Sequence, residues 1–261
     1  MSYIIAIANE KGGVAKTTTT LSLGASLVES GNEVLLIDLD AQANLSLALA
    51  VDPISNYQST SNVFLDGTSP TSISRETGIP GLDLIPSNQE MVQTEKFLHV
   101  RPNYETILQN ALRTDPNMHY KYIILDCPPF LGSVTFNALA AADMLLIPTQ
   151  PEFFSVHALK SMLSLVRTIR NKHNPRLTYR LLITMLDRRN RTHRNMGEQL
   201  RSTFGTGLLN TTISTDTKLR ESPIAGMPII YYAPKSRAAQ QYRSLAEEIN
   251  QYVKETTEQP A

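Results

Sequence analysis

Cysteine is almost absent from this chain, and long apolar runs are absent altogether. Cys127 is the only cysteine among 261 residues, which excludes a disulfide framework or a cysteine cluster for metal and indicates a reducing cytosol. No apolar stretch approaches the roughly 18 residues that a membrane span needs. The N-terminal run MSYIIAIANEKGG has no basic segment before its short apolar part, so we expect no signal peptide. We therefore expect a cytoplasmic protein.

Net charge is also lacking, but the charges are unevenly distributed along the chain. Residues 1–150 carry 7 Lys and Arg against 15 Asp and Glu, and residues 151–261 carry 17 against 9. The two halves therefore have net charges of −8 and +8, although sequence halves need not form separate faces. Such asymmetry suggests an anionic partner.

Short apolar runs alternate with helical patterns along most of the sequence. The predicted strands are 3–8, 33–38, 82–86, 122–126, 144–148 and 178–184. The predicted helices are 17–29, 104–113, 135–142, 155–172, 192–203 and 236–253. Near-continuous apolar strands are typical of a parallel sheet that is covered on both faces. We predict an α/β fold, a doubly wound, mostly parallel twisted sheet with helices on both faces, as one domain over 1–261.

Two segments fall outside this alternation. Residues 52–80 are rich in Ser, Thr, Pro and Gly, and we expect an irregular excursion with one short helix near 62–65. Residues 254–261 are expected to form a disordered tail. The sequence contains no internal repeat and no low-complexity tract.

The stretch NEKGGVAKTTTT, residues 9–20, connects the first predicted strand to the first predicted helix. This is the context of a phosphate-binding loop. Gly12 and Gly13 let backbone N–H groups turn toward phosphates, and the helix start adds the positive end of its dipole. Lys16 is expected on the β- and γ-phosphates and Thr17 on Mg²⁺. The remaining predicted contacts of the loop are Val14, Ala15 and Thr18.

The loop departs from the usual pattern G-x-x-x-x-G-K-[ST]. Glu10 and Ala15 occupy its two glycine positions, and Lys11 is an additional lysine. Ala15 fits if its φ angle is negative. An ordinary glycine-containing turn is the alternative interpretation, but it leaves the Lys-Thr pair at the helix start unexplained.

Three aspartates lie at the carboxyl ends of predicted strands. Asp38 and Asp40 belong to IDLDAQ, and Asp126 belongs to ILDCPP. Because ligands of doubly wound sheets bind beyond these strand ends, the aspartates should surround the phosphates. Thr17 and Asp126 fit Mg²⁺, and Asp38 or Asp40 can orient an attacking water. A single aspartate here would more simply cap a turn.

These stretches together resemble the ParA/MinD family of deviant Walker ATPases. The resemblance is carried by KGGVAKTT, IDLDAQANLS, DCPPFLGSVTFNAL, IPTQPEFFSVHAL and LRESPIAGMPIIYYAPKSRAAQQYRSLAEEI. It extends from Ile4 to about Ile249, and the last segment is similar to ParA rather than MinD. The family usually has Gly where this chain has Ala15, and commonly has Pro and Gly at the positions of Ala41 and Ala43.

The resemblance implies specific roles. Lys11 would reach across an ATP-sandwich homodimer to the phosphates held by the other subunit, as an arginine finger does. Asp40 would help to activate water, Asp38 would act beside Mg²⁺, and Asp126 would be the Walker B carboxylate. Without the family, Lys11 would be an ordinary exposed lysine. The other nucleotide contacts that we predict are Met185 and Pro234.

An arginine-rich segment, DRRNRTHRNM, begins at Asp187. It contains Arg188, Arg189, Arg191 and Arg194, and the later TDTKLRESP adds Lys218 and Arg220. The resemblance places Arg189 and Lys218 at positions that contact DNA non-specifically in ParA-type dimers. Several phosphate contacts would give salt-dependent binding without sequence choice. The alternative is a solvated basic loop.

The resemblance implies an ATPase that uses ATP and Mg²⁺, dimerises with ATP, binds nucleoid DNA and positions a cargo. A small ParB-like adaptor would stimulate hydrolysis, and the cargo would be a plasmid, a chromosome or a protein body such as a carboxysome, as for McdA proteins. The loop begins by residue 9, so we expect no N-terminal helix-turn-helix. Two alternatives stay open, a MinD-like membrane-surface ATPase and a metabolic ligase of dethiobiotin synthetase type. The acidic ending EEINQYVKETTEQPA argues against the first.

Overall fold

The computed structural model describes residues 1–51 and 57–258. Within them, one sheet runs in the order β3-β4-β2-β5-β1-β6-β7-β8. Its strands are β1 Tyr3–Ile7, β2 Val34–Asp38, β3 Arg75–Ile79, β4 Leu82–Ile85, β5 Tyr122–Asp126, β6 Met144–Thr149, β7 Thr178–Leu186 and β8 Leu208–Ser214. The pairs are parallel except for β3 with β4, which are antiparallel.

Helices cover both faces of this sheet. They are α1 Lys16–Glu29, α2 Asn44–Ala48, α3 Thr60–Asp66, α4 Pro70–Ile73, α5 Glu90–Leu98, α6 Ile107–Thr114, α7 Ser133–Ala141, α8 Phe153–Lys172, α9 Arg191–Phe204, α10 Lys218–Ile224, α11 Ile229–Tyr232 and α12 Arg237–Glu258. The core of one face draws on α3–α9, and the core of the other on α1, α2, α11 and α12. The predicted doubly wound α/β fold is confirmed.

Alternating side chains divide each central strand between the two cores. In β1, Ile4 and Ala6 belong to one cluster, whereas Ile5 and Ile7 belong to the other. This is the period of two that a strand imposes on its side chains. Helix α1 packs very closely on β2, since a Cβ built at Gly24 would lie 2.7 Å from Leu36 Cδ2. The close packing fixes the start of α1 beside the carboxyl ends of the strands.

The prediction of an irregular excursion at 52–80 is wrong for residues 57–80, while 52–56 lie outside the described residues. This part of the chain forms α3, α4 and β3. Helix α3 contains the short helix predicted near 62–65. The physical reason is local capping, because the Ser59 backbone and side chain exchange hydrogen bonds with the first turn of α3.

The prediction of a disordered tail at 254–261 is wrong for 254–258, which continue α12, and 259–261 lie outside the described residues. Val253 is buried, and the Arg180 guanidinium stacks over the Tyr252 ring at 4.2 Å. These contacts anchor the helix at the point where the sequence pattern weakens. In the described part of the chain, no helix has both the length and the apolar content needed to cross a bilayer.

Candidate nucleotide site

Residues 8–15 connect β1 to α1 and carry the predicted phosphate loop. Gly13 has a φ of 74°, which glycine adopts without strain. Ala15 has a φ of 68° in the left-handed region, so the condition under which alanine fits here without strain is not met. The geometry of the loop prevails over the preference of alanine, at a cost of about 1–2 kcal/mol. The Ala15 carbonyl accepts a hydrogen bond from the Thr19 N–H at 2.9 Å, which closes the first turn of α1.

The Lys16 side chain points back over this loop. Its Nζ donates to the Lys11 carbonyl at 3.3 Å, and the residue is only 8% exposed. Burial lowers the pKa of the Lys16 ammonium, and the negative charge of Asp126 opposes that shift. A largely buried cation beside the N-terminal end of a helix is suited to a phosphate anion.

Two buried carboxylates lie side by side because their strands are neighbours. Asp38 and Asp126 are register partners at the ends of β2 and β5. Asp38 accepts from the Ser46 N–H at 2.9 Å, from the Ser46 hydroxyl at 2.7 Å and from the Asp40 N–H at 3.1 Å. Burial raises the pKa of Asp38 to about 6. Its Oδ2 therefore holds α2 against β2, and its Oδ1 holds the connection between them.

Asp126 is less completely bonded. Its Oδ1 accepts from the Thr20 hydroxyl at 3.1 Å, whereas its buried Oδ2 has no hydrogen-bond partner among the described residues. Burial, followed by the charge of Asp38, raises the pKa of Asp126 to about 8, and the Thr17 and Thr20 hydroxyls act against this rise. A buried carboxylate oxygen without a partner, next to a threonine hydroxyl, fits Mg²⁺, which prefers oxygen ligands. Thr17 and Asp126 therefore fit a magnesium ion better than the fully bonded Asp38 does.

A cavity of about 480 Å³ extends from the loop toward α2 and α10. Its lining includes Gly12, Gly13, Lys16, Thr17, Thr18, Asp40, Pro129 and Ile224. Asp40 is partly exposed, and its Oδ1 accepts from the Gln42 N–H at 3.0 Å. The structure thus brings the predicted phosphate ligands and Asp40 into one space.

The second lysine of the loop has a different partner from the first. Lys11 Nζ lies 2.9 Å from Glu152 Oε2 in an ion pair, and the Lys11 N–H donates to Asn9 Oδ1 at 2.9 Å. Asn9 Nδ2 in turn donates to the Pro148 carbonyl at 2.8 Å. The predictions from sequence missed Glu152. Its place just beyond the carboxyl end of β6, at the start of α8, is the signal that could have identified it.

A second cavity, of about 500 Å³, lies on the other side of the loop, toward β7 and β8. Gly13, Ala15 and Thr18 line it together with Met185 and Ile213. Met185 has a φ of 53° where the pairing of β7 with β8 is irregular. The neighbouring Thr184 hydroxyl donates to the Val14 carbonyl at 3.0 Å, which ties β7 to the loop.

Pro234, another predicted nucleotide contact, lies outside both cavities. It is exposed, its carbonyl accepts from Arg243 Nη1 at 2.6 Å, and it lines neither of the two cavities. It lies in the connection between α11 and α12.

The predicted DNA contacts occupy two neighbouring segments. Arg188 and Arg189 lie in the turn before α9, Arg191 and Arg194 lie on α9, and Lys218 and Arg220 lie on α10. These six residues are exposed. Arg189 and Arg220 also line the 500 Å³ cavity, which connects the arginine-rich turn to the nucleotide site.

Arg194 and Arg189 differ in what they contact. Arg194 Nη1 donates to the Arg188 and Arg189 carbonyls at 2.7 and 3.0 Å, so it holds the turn together. The Arg189 side chain is 93% exposed, and its Nε lies 3.4 Å from Asp187 Oδ1. An ion pair this exposed contributes little, and a phosphate could readily replace the carboxylate.

Comparison with known proteins agrees with this geometry. A family model described as an AAA domain matches residues 2–179. Over 250 residues the chain is 37% identical to the sporulation initiation inhibitor protein Soj of Bacillus subtilis, covering 95% of this chain and 98% of that protein. It is 35% identical over 250 residues to the chromosome partitioning protein ParA of Caulobacter vibrioides, covering 94% of this chain and 93% of that protein.

A solved structure shares the whole fold. It is the cobyrinic acid a,c-diamide synthase from Mycobacterium smegmatis with bound ADP and magnesium. That structure is 30% identical, with a TM-score of 0.86, and the match covers 100% of this chain and 99% of that chain.

Proposed function

This chain belongs to the ParA/MinD family of P-loop ATPases, and we propose that it is a partition ATPase that ATP converts into a DNA-binding sandwich dimer. ATP and Mg²⁺ are its cofactors. One observation carries the proposal: the two lysines of the loop face different partners. Lys16 lies over the loop beside Asp126, whereas Lys11 is paired with Glu152.

The residues of one subunit account for nucleotide binding. Lys16 and the N–H groups at the start of α1 hold the phosphates, and Thr17 with Asp126 would hold the magnesium ion. When bound, Mg²⁺ supplies neutralisation of the charge on the phosphates. Asp40, which lines the same cavity, would orient the attacking water. Asp38 supports the site by fixing α2 through Ser46.

Lys11 is not needed to hold the nucleotide of its own subunit, since Lys16 already lies over the loop. In the dimer, Lys11 leaves Glu152 and reaches the phosphates of the partner subunit. The phosphates carry more negative charge than one carboxylate, so ATP favours the exchange. Dimer formation then depends on ATP, and the lysine stabilises charge that develops during hydrolysis.

The exposed arginines supply the second half of the proposal. Arg188, Arg189, Arg191, Lys218 and Arg220 are exposed, and Arg189 and Arg220 line the same cavity. Dimerisation doubles this number of cations and makes non-specific binding to nucleoid DNA stronger. A ParB-like adaptor on the cargo would stimulate hydrolysis and release the dimer. The cargo would be a plasmid, a chromosome or a protein body.

The test measures dimer formation and binding to random-sequence DNA and to anionic liposomes, with and without ATP. We expect ATP to promote the dimer and to strengthen DNA binding, with no binding to liposomes. Lys11→Ala should bind ATP as a monomer but should neither dimerise nor respond to ATP in DNA binding. The matched control is Lys172→Ala, which removes an exposed lysine at the end of α8.

Glu152→Gln sharpens the test because it frees the Lys11 ammonium from an ion pair without removing it. We expect this variant to dimerise at lower ATP concentrations than the unmodified protein. Dimerisation of Lys11→Ala with ATP would contradict the trans role. DNA binding that ignores ATP, or binding to liposomes alone, would contradict the partition function.

A second candidate is a metabolic ligase, which the likeness to the cobyrinic acid a,c-diamide synthase favours. Such an enzyme needs a substrate that accelerates ATP hydrolysis, and it needs no trans lysine or arginine-rich turn. Hydrolysis that rises with cobyrinic acid and is unaffected by DNA would favour this candidate over the first.

A further inference from the structure

The first turn of α7 is held by a carboxylate from another helix. Glu95, on α5, accepts from the Ser133 N–H through Oε1 at 2.5 Å and from the Val134 N–H through Oε2 at 3.0 Å. These N–H groups have no partner within their own helix. A carboxylate that accepts two of them at the positive end of a helix makes strong, charge-assisted hydrogen bonds.

A short connection joins helix α7 to the strand end that carries Asp126. Residues 127–132 connect Asp126, at the end of β5, to α7. The sheet fixes one end of this connection, because the Leu39 N–H donates to the Asp126 carbonyl at 3.0 Å and the Cys127 N–H donates to the Ile7 carbonyl at 3.1 Å. Glu95 fixes the other end. Pro129, between them, lines the cavity that contains Lys16 and Thr17.

Gly132 leaves the space that this contact requires. Its φ is −95°, a value that other residues adopt freely, so its backbone does not require glycine. A Cβ built there would instead lie 2.2 Å from Glu95 Oε1 and 2.8 Å from Phe130 Cε2. The glycine therefore allows the carboxylate to approach the helix end closely.

Helix α5 is itself a firm support for Glu95. Met91 and Leu98 are buried on its inner side, and the Ser61 hydroxyl donates to Glu90 Oε2 at 2.7 Å. Because the helix is anchored at both ends, the position of Glu95 is set by packing and not by Glu95 itself. Because Glu95 bonds to the start of α7, it also restrains the end of the connection 127–132.

We propose that Glu95 is a positioning residue for ATP hydrolysis. Through its contact with α7 it holds residues 127–132 so that Asp126 and Pro129 keep their places beside the phosphates. Glu95 does not itself line the cavity that contains Lys16 and Thr17. Nucleotide affinity, which depends on the loop before α1, is largely independent of it, whereas turnover depends on it.

The test compares Glu95→Gln and Glu95→Ala with Gln93→Ala, an exposed position on the same helix. We expect affinity for an ATP analogue within about twofold of the unmodified protein, and kcat lower by roughly 10- to 100-fold in Glu95→Ala, as small displacements at a reacting centre produce. Glu95→Gln keeps one acceptor oxygen and should lie between. Half-maximal activity should also require more Mg²⁺ in both variants.

A double-mutant cycle with Gly132→Ala adds a second measurement. Gly132→Ala should lower kcat and the melting temperature in the unmodified protein, because its methyl group displaces the Glu95 carboxylate. In the Glu95→Ala background the same change should have a much smaller effect. Unchanged kcat in both Glu95 variants would overturn the proposal, and so would additive effects in the cycle. If the affinity for the ATP analogue and kcat fall to the same extent, Glu95 has only a structural role and the proposal is overturned.

Discussion

The nucleotide site and the arginine-rich turn use charge in opposite ways. Asp38 and Asp126 are 0% and 1% exposed, whereas the Arg189 side chain is 93% exposed. In the buried site the charged atoms have fixed partners except Asp126 Oδ2, which has none among the described residues and marks where a cation would fit. In the exposed turn the charges are screened and interchangeable, and their number matters more than their geometry. Single substitutions should therefore have large effects in the first region and graded effects in the second.

The largest effect is expected for Asp126→Asn. The amide keeps the shape of the side chain but removes the charge that would hold Mg²⁺, so we expect hydrolysis to fall by roughly 100-fold or more. Steady-state hydrolysis measured against Mg²⁺ concentration checks this expectation. The matched control is Asp115→Asn, because Asp115 caps α4 far along the chain from the loop. Activity close to that of the unmodified protein would contradict the role of Asp126.

The same substitution should change how stability depends on pH. Burial raises the pKa of Asp126 to about 8 in the folded state, from an ordinary value of 3.8. The group therefore stabilises the nucleotide-free fold fully below pH 4, and this contribution is lost as the pH rises to about 8. Asp126→Asn should melt at a higher temperature than the unmodified protein at pH 8, and the difference should shrink toward pH 5. If the difference in melting temperature between the two proteins does not change across this pH range, the pKa of Asp126 is close to its ordinary value.

A smaller, graded effect is expected in the arginine-rich turn. Replacing Arg188 and Arg191 together by glutamine should weaken binding to random-sequence DNA and reduce the slope of log K against log salt by about 2, since each phosphate contact contributes about 0.9. ATP-dependent dimerisation should not change. Binding titrations at several salt concentrations measure the slope.

Arg194→Gln is the informative control for that pair. Because Arg194 donates to the carbonyls of the turn, its loss should disturb the turn more than it changes the salt slope. An equal fall in slope per arginine at all three positions would mean that Arg194 also faces DNA. An unchanged slope in the Arg188 and Arg191 double variant would place the DNA on another face.

The contrast between buried and exposed parts of the molecule also explains which elements could be predicted from the sequence. Apolar runs identified the central strands, because burial on both faces leaves a continuous signal. Strand β8 was missed because it is an edge strand with polar residues, and Glu248 on α12 accepts from its Asn210 and Thr211 N–H groups at 2.7 and 2.9 Å. The ion pair of Lys11 with Glu152 was missed because the two residues are distant in sequence and only the fold brings them together.

Within the site, the sequence predicted which residues gather at the strand ends but not how each is bonded. The bond of Asp38 to Ser46, and the lack of a partner for Asp126 Oδ2 within 1–51 and 57–258, depend on side-chain packing in three dimensions. The positive φ of Ala15 could not be predicted from the sequence, because alanine disfavours the left-handed region and only the tertiary fold of the loop imposes it.

The smallest effect concerns that strained position. Ala15→Gly relieves a left-handed alanine that costs about 1–2 kcal/mol, while the added freedom of the unfolded chain costs about 0.5–1 kcal/mol. We expect a net gain of about 0.5–1 kcal/mol, or a rise in melting temperature of about 1–4 °C for a chain of this size. Ala43, with a φ of 51° at the start of α2, should respond in the same way.

Ala111→Gly is the control for this last prediction, because Ala111 lies inside α6 and is helical. There the same change should lower the free energy of unfolding by about 1 kcal/mol. Opposite signs at positions 15 and 111 would show that the loop is held in its shape by the surrounding fold against local preference. A fall in melting temperature for both variants would mean that Ala15 has a negative φ in solution, and the buried region would then be less tightly determined than the comparison with the arginine-rich turn requires.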